Sequence, residues 1–158
     1  MDWGGWAVFG LLATAGLTAV LILSQLAGLT RMDLPMMLGT LLVDDPDRAR
    51  VVGFLIHLGF GQLFALGYGL VFALVGHAGW LLGAGLGVVH AFVALTVLVP
   101  LLPGIHPRMS STRAGPATAP GLEPPGLLGL SYGHQTVAVA VVAHVAYGLA
   151  LGLLLRPG

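Results

Sequence analysis

The chain has 158 residues, of which 57% are hydrophobic and 8% charged, and its formal net charge is +0. Soluble domains carry about 25% charged residues, so this composition excludes a packed water-soluble fold. The chain has no basic stripe, which argues against nucleic-acid binding, and no cysteine, which excludes disulfides and thiolate chemistry. We expect an integral protein of a lipid bilayer.

Four apolar segments are long enough to cross a bilayer, which takes roughly 20 apolar residues. They cover residues 6–28, 51–75, 80–99 and 134–155. The amino terminus lacks the positive region of a signal peptide, so the first segment is expected to be retained. The sequence therefore predicts an all-α protein, an antiparallel four-helix transmembrane bundle over residues 1–158 as a single domain.

The segments between the spans carry clear local signals. Asp33, followed by Leu34 and Pro35, predicts a short helix over residues 34–43, too short to span and expected to lie in the membrane interface. Pro100 and Pro103 are predicted to end the third span at Val99. Residues 100–132 hold most of the prolines and are predicted to form a long extramembrane loop between the third and fourth spans.

The arginines predict how the chain is oriented. Five of them fall on the side shared by loops 29–50 and 100–132, namely Arg31, Arg48, Arg50, Arg108 and Arg113. Only Arg156 falls on the other side, so both loops are predicted to be cytoplasmic and both termini outside. The three tryptophans lie at the predicted outer ends, as an aromatic belt would. The predicted location is a bacterial cytoplasmic (inner) membrane.

Three spans each carry one interior histidine on a ridge of small residues. The ridges are Gly53, His57, Gly61, Ala65 and Gly69; Gly83, Gly87, His90 and Ala94; and Ala140, His144, Gly148 and Gly152. Membrane helices approach one another closely along such ridges. The three histidines are therefore predicted to point into the bundle, at similar depth.

Ionisable residues inside a membrane are costly and are functional by default, although a single histidine often serves only as an interhelical hydrogen-bond residue. We hypothesise that His57, His90 and His144 bind a metal ion (Zn, Cu or Fe) or haem b, in a redox or electron-transfer role. Gln25, Gln62 and Tyr147 are predicted to hydrogen-bond around these ligands. A bacteriochlorophyll with one histidine ligand and a proton relay stay open as other forms of the site.

Three further polar residues belong to the predicted loop or its end. His106, Glu123 and His134 would lie at the cytoplasmic mouth of the bundle. If the loop folds back over the bundle, these side chains could form a lid. The alternative is that they are ordinary solvated loop residues.

Three stretches resemble a known group of proteins: GLLATAGLTAVLILSQLAGL, DLPMMLGTLL and AHVAYGLALGLLL. They are similar to uncharacterised bacterial four-helix inner-membrane proteins of the YagU-like kind. The resemblance implies a four-span membrane fold and a bacterial origin. It implies no activity and no site residue.

Two other functions remain open at this point. The chain could be a non-catalytic accessory or assembly subunit, packing through its glycine ridges into a homo-oligomer or a larger membrane complex. It could also be a small transporter or proton conduit, for which the inward polar residues are few. The sequence contains no recognised catalytic motif in a suitable context, and enzymatic activity is left open.

Overall fold

The structure is a computed structural model that describes residues 2–109 and 121–156. Four of its helices are long and apolar enough to cross a membrane. In chain order, the helices are α1 Trp3–Leu26, α2 Leu34–Gly39, α3 Pro46–Val75, α4 Trp80–Ile105 and α5 Gln135–Leu154. The prediction of an all-helical chain with four long apolar helices is confirmed.

Aspartate side chains cap the starts of the first three helices. Asp2 accepts a hydrogen bond from the backbone N–H of Gly5 (2.8 Å), and Asp33 accepts one from that of Met36 (2.9 Å). Asp45 caps α3 in the same way. Each cap satisfies an N–H that has no partner inside its helix. The cap at Asp33 was predicted from the sequence.

Helix α4 differs from the predicted third span. It continues through Pro100 and Pro103 to Ile105 instead of ending at Val99. A proline within a helix lacks the N–H for the carbonyl four residues earlier, and its ring crowds that carbonyl. Over Ala94–Leu98 the backbone widens into a π-helical turn, which shifts those carbonyls and lets the helix absorb the prolines.

Two boundaries differ from the prediction. Helix α2 ends at Gly39 and not at residue 43, and the loop between the last two long helices begins only after Ile105. Residues 110–120 of that loop, with Arg113 among them, lie outside the described residues.

Glycines bring the helix backbones into direct contact. A Cβ atom at Gly83 of α4 would lie 2.1 Å from the carbonyl oxygen of Gly148 in α5. A Cβ at Gly87 would lie 2.5 Å from the carbonyl oxygen of His144, and one at Gly61 of α3 would lie 1.9 Å from the Thr14 hydroxyl of α1. The ridges therefore pack the helices of this chain against one another.

The long helices do not all touch. Helix α1 packs beside both α3 and α5, and α5 packs beside α4. Helices α3 and α4 are joined by the turn at residues 76–79, where Gly76 takes the left-handed conformation (φ 77°), but they make few direct contacts. A gap therefore remains between α3 and α4.

One end of the bundle is covered by packed loops, which we call the loop cap (residues 29–43, 106–109 and 121–133). Its buried core comprises Met32, Met37, Leu38, Leu102, Met109 and Tyr132. The backbone N–H of Arg31 donates to the carbonyl of Tyr132 (2.9 Å), and that of Leu122 donates to the carbonyl of Arg108 (2.7 Å). These bonds hold the described part of the long loop against the segment that follows α1.

Candidate functional site

The gap between α3 and α4 encloses a cavity of about 220 Å³. Its lining is almost entirely apolar and comes from all four long helices and the loop cap. The residues on its lateral side are exposed, and they are Phe60, Leu98, Leu101 and Ile105. In a bilayer this side faces lipid, so a molecule could enter the cavity sideways from the membrane.

His144 of α5 lines the cavity and is only 7% exposed. Its Nδ1 lies 2.7 Å from the carbonyl oxygen of Ala140. A carbonyl can only accept, so we assign the ring proton to Nδ1. The other nitrogen, Nε2, is then unprotonated and carries a lone pair that can accept a hydrogen bond.

His57 of α3 is held by a threonine of α1. The hydroxyl of Thr18 donates its single proton to the carbonyl of Thr14 (2.7 Å), so it must accept from Nδ1 of His57, 2.8 Å away. The Nε2 of His57 is therefore also a lone-pair acceptor. The sequence does not indicate this partner, because a threonine within a helix commonly bonds to the backbone of its own helix.

His90 of α4 is 8% exposed and stands among aromatic rings. Its ring stacks on Phe64 with the centroids 3.8 Å apart, and it meets the ring of His144 edge-to-face at 4.5 Å. Its buried Nδ1 has no partner within the described part of the chain. A buried polar group left unpaired costs about 1–3 kcal/mol, so a hydrogen-bonding ligand at this nitrogen would be favourable.

The three residues predicted to support the histidines lie in different places. Tyr147 lines the cavity, and its hydroxyl donates to the carbonyl of Gly61 (2.6 Å), which ties α5 to α3. Gln62 instead donates to the carbonyl of Ala7 (2.8 Å), facing α1. Gln25 lines a separate surface depression beside Asp33 and Arg50. Only Tyr147 is placed to support a ligand in the cavity.

The three predicted lid residues take separate positions around the loop cap. His106 is 1% exposed; its Nε2 donates to the carbonyl of Met37 (3.0 Å), and its Nδ1 accepts from the backbone N–H of Arg108 (3.1 Å). Glu123 pairs with Arg31 (3.1 Å), and His134 is exposed. In the described chain no hydrogen bond or ion pair joins the three side chains to one another.

Burial lowers the pKa of His106. The hydrogen bond to Met37 opposes this shift, and the positive charge of Arg108 adds to it. Both ring nitrogens are thus satisfied by a neutral imidazole, and His106 serves as a link between the end of α4 and helix α2.

The cavity itself holds no set of three protein ligands. Across residues 2–109 and 121–156, no group of three or more His, Asp or Glu side chains could hold a metal ion. No carboxylate of the described chain lines the cavity. The polar residues of its lining are the three histidines with Thr14 and Tyr147, and we assign an unprotonated Nε2 to His57 and to His144.

No family model, curated protein or solved structure matches this chain. The resemblance to YagU-like proteins stays a prediction.

Proposed function

We propose that this integral membrane protein binds a lipophilic small molecule in the cavity between α3 and α4. His57, His90 and His144 would contact the polar group of that molecule. The observation that carries the proposal is an apolar cavity, open on its lateral side, that is lined by three histidines. The Nδ1 of His90 has no partner among the described residues, and the Nε2 atoms of His57 and His144 are assigned as acceptors. Small-molecule sites commonly combine an apolar lining with a few placed polar groups.

The cavity volume indicates the size of the ligand. At about 220 Å³, it is smaller than the ~300–1,000 Å³ typical of drug-sized sites. It is larger than the cavity of about 150 Å³ that accommodates benzene. A single ring fits inside, and an attached chain would leave between α3 and α4 into the bilayer.

Photolabelling tests the proposal. A single-ring lipophilic aryl diazirine, activated with the full chain in nanodiscs, should label the cavity residues Phe64 and Leu95 more strongly than it labels residues of the lipid-facing surface. Ala94→Phe places a ring in the cavity and should remove this excess labelling, whereas Ala146→Phe on the exposed face of α5 should not. Uniform labelling of cavity and surface would contradict the proposal.

A metal ion or haem b is the second candidate, favoured by one specific observation. The Nδ1–H groups of His57 and His144 are anchored to oxygen acceptors, as they usually are in metal-ligating histidines. The free Nε2 atoms could then ligate Zn, Cu or Fe. The cavity volume favours a single-ring group over a porphyrin, and a metal would need further ligands from water or a partner.

Spectroscopy and elemental analysis separate the two candidates. A Soret band in the purified protein would support haem, and about one metal per chain, lost in His144→Gln, would support a metal site. If the wild-type protein shows neither signal, the second candidate is ruled out. His77→Gln is the matched control, because His77 lies in the exposed turn after α3.

We also propose the predicted topology, an antiparallel bundle with α2 in the interface, both termini outside and loops 29–50 and 100–132 in the cytoplasm of a bacterial inner membrane. The arginine distribution supports the orientation. The α1–α3 contacts support the antiparallel arrangement, because Gly10 meets Gln62, Thr14 meets Gly61 and Thr18 meets His57.

The cysteine-free chain allows a direct test of this topology. On intact cells, a membrane-impermeant maleimide should label His77→Cys and should label Asp47→Cys only after lysis. The reverse pattern would contradict the orientation.

We also propose that the chain can form a homo-oligomer or join a larger complex. Such an assembly would have to use a surface other than the glycine ridges. Gly53, Gly61, Gly83 and Gly87 already contact helices of their own chain. Cross-linking in native membranes would test for such a partner. If only the monomer is recovered, the proposal is contradicted.

A further inference from the structure

We infer that the cavity selects ligands that donate hydrogen bonds, and that its ligand is a single aromatic ring carrying hydroxyl groups, such as a lipophilic hydroquinone. This inference rests on the proposed function, since it requires that the cavity binds a lipophilic molecule. It adds the chemical class of the polar group, which the positions of the hydrogen atoms determine.

His57 of α3 and His144 of α5 both line the cavity, and each has a ring nitrogen that can accept a hydrogen bond. His144 uses its N–H on the carbonyl of Ala140 (2.7 Å), and His57 uses its N–H on the hydroxyl of Thr18 (2.8 Å). A neutral imidazole has one donor and one acceptor. The Nε2 atom of each ring is therefore left as an acceptor that only an incoming donor can satisfy.

The hydroxyl groups of the wall offer no spare donors. The proton of Tyr147 is used on the carbonyl of Gly61 (2.6 Å), and that of Thr14 on the carbonyl of Gly10 (2.7 Å). A neutral His90 has a single N–H. Acceptors therefore outnumber donors in the described wall, and a ligand that only accepts would leave the nitrogens of His57 and His144 unpaired.

The remaining lining favours a neutral aromatic donor. Phe60 and Phe64 line the cavity on the α3 side, where a ring can pack in stacked or edge-to-face contact. A charged ammonium donor would have no counterion, because no carboxylate of the described residues lines the cavity. A hydroxyl group supplies the proton without a charge.

Two ligands of nearly equal size test the inference on the unmodified protein. Hexylhydroquinone donates two hydrogen bonds, whereas hexylbenzoquinone can only accept them. With the full chain in nanodiscs, and with empty nanodiscs to correct for partitioning, the hydroquinone should bind about 10-fold tighter or more. The chain has no cysteine that the quinone could alkylate.

Substitutions of the cavity histidines show which residues cause the preference for the hydroquinone. His57→Phe and His144→Phe should each reduce the hydroquinone-to-quinone ratio several-fold, because each removes one acceptor. His77→Phe, outside the cavity, should leave the ratio unchanged. Since the ligand comparison uses the wild-type chain, a variant that fails to fold does not remove the test.

The possible outcomes separate the inference from the proposed function. If both ligands bind equally and Ala94→Phe abolishes both, the cavity binds lipophilic molecules and the donor inference is overturned. If the quinone binds tighter, the donor inference is overturned as well. If neither ligand binds saturably, both the inference and the ligand class behind it fail, and the photolabelling result decides whether the cavity is a site at all.

Discussion

Helix α4 has two sides that are built in opposite ways. Toward α5, Gly83 and Gly87 let the two backbones touch, so that no side chain separates them. Toward α3, side chains such as Phe64 and His90 stand between the helices and leave the cavity unfilled. The same helix thus forms a close backbone interface on one side and a wall of the cavity on the other.

The difference shows what closes a gap in a membrane protein. In water, burial of apolar side chains would drive α3 and α4 together. In lipid this driving force is missing, because the tails are as apolar as the side chains, and only close packing or hydrogen bonds hold helices together. A gap lined by bulky side chains can therefore persist and take a lipophilic ligand.

The open side is tied at two places. The Phe64–His90 stack joins α3 to α4, and His106 joins the end of α4 to α2 through the carbonyl of Met37. Substitutions on the packed side, at these two contacts and at the surface of the loop cap are expected to have progressively smaller effects.

The largest effect is expected on the packed side. Gly83→Ala would place a Cβ 2.1 Å from the carbonyl oxygen of Gly148, and a backbone atom cannot rotate away. We expect a loss of about 3 kcal/mol in the free energy of unfolding, measured by SDS titration in mixed micelles. Gly85→Ala is the matched control, since its Cβ would meet nothing within 4 Å. Equal effects at the two positions would contradict the close contact.

Acidification should lower the free energy of unfolding through the buried His106, which bonds to Met37. Burial lowers the pKa of this histidine in the folded protein, so its neutral form contributes stability that is complete above the unfolded pKa of about 6.5. As the pH falls below that value, the unfolded chain binds the proton first, and stability declines by up to about 1.4 kcal/mol per pH unit. Arg108, which is paired with Asp44, and the hydroxyl of Thr40 also face the ring.

The unfolding free energy of the wild type and of His106→Gln, measured between pH 5 and 8, checks this prediction. Glutamine can still donate to Met37 but does not titrate. The difference between the two proteins should change with pH below about 6.5 and stay constant above it. A constant difference throughout would show that His106 is not the titrating group.

The stack on His90 should have a smaller effect. Phe64→Ala removes an aromatic contact at 3.8 Å, for which we expect a loss of about 1 kcal/mol in SDS-induced unfolding. Phe60→Ala changes an exposed phenylalanine of the same cavity and should have less effect on stability. If the two substitutions destabilise equally, the stack does not tie α3 to α4.

The smallest effect is expected at the surface of the loop cap. Glu123 and Arg31 form an ion pair at 3.1 Å, but their side chains are 49% and 67% exposed. Glu123→Gln should therefore lower the unfolding free energy by no more than about 0.5 kcal/mol, and less at high salt. A larger loss would mean that this pair holds the loop cap closed.

The membrane character, the four long helices and the aspartate cap of α2 were predictable from the sequence alone. Each depends on local properties: runs of apolar residues long enough to span, and a side chain that caps the N–H groups next to it. The sequence also placed the histidines on the correct glycine ridges, because a spacing of four residues puts side chains on one face. The continuation of α4 through Pro100 and Pro103 was not predictable by that reasoning, since it depends on the π turn.

Only the tertiary structure decided which histidines have unsatisfied nitrogens. His106 was predicted to be a loop residue and is buried with both nitrogens bonded, whereas His57 and His144 each leave one nitrogen toward a cavity. Thr18, Met37 and Ala140 make that difference. Hydrogen-bond partners on neighbouring helices depend on how those helices pack, and spacing along one segment cannot specify them. The sequence predicts the glycine ridges, but it does not predict the gap between α3 and α4.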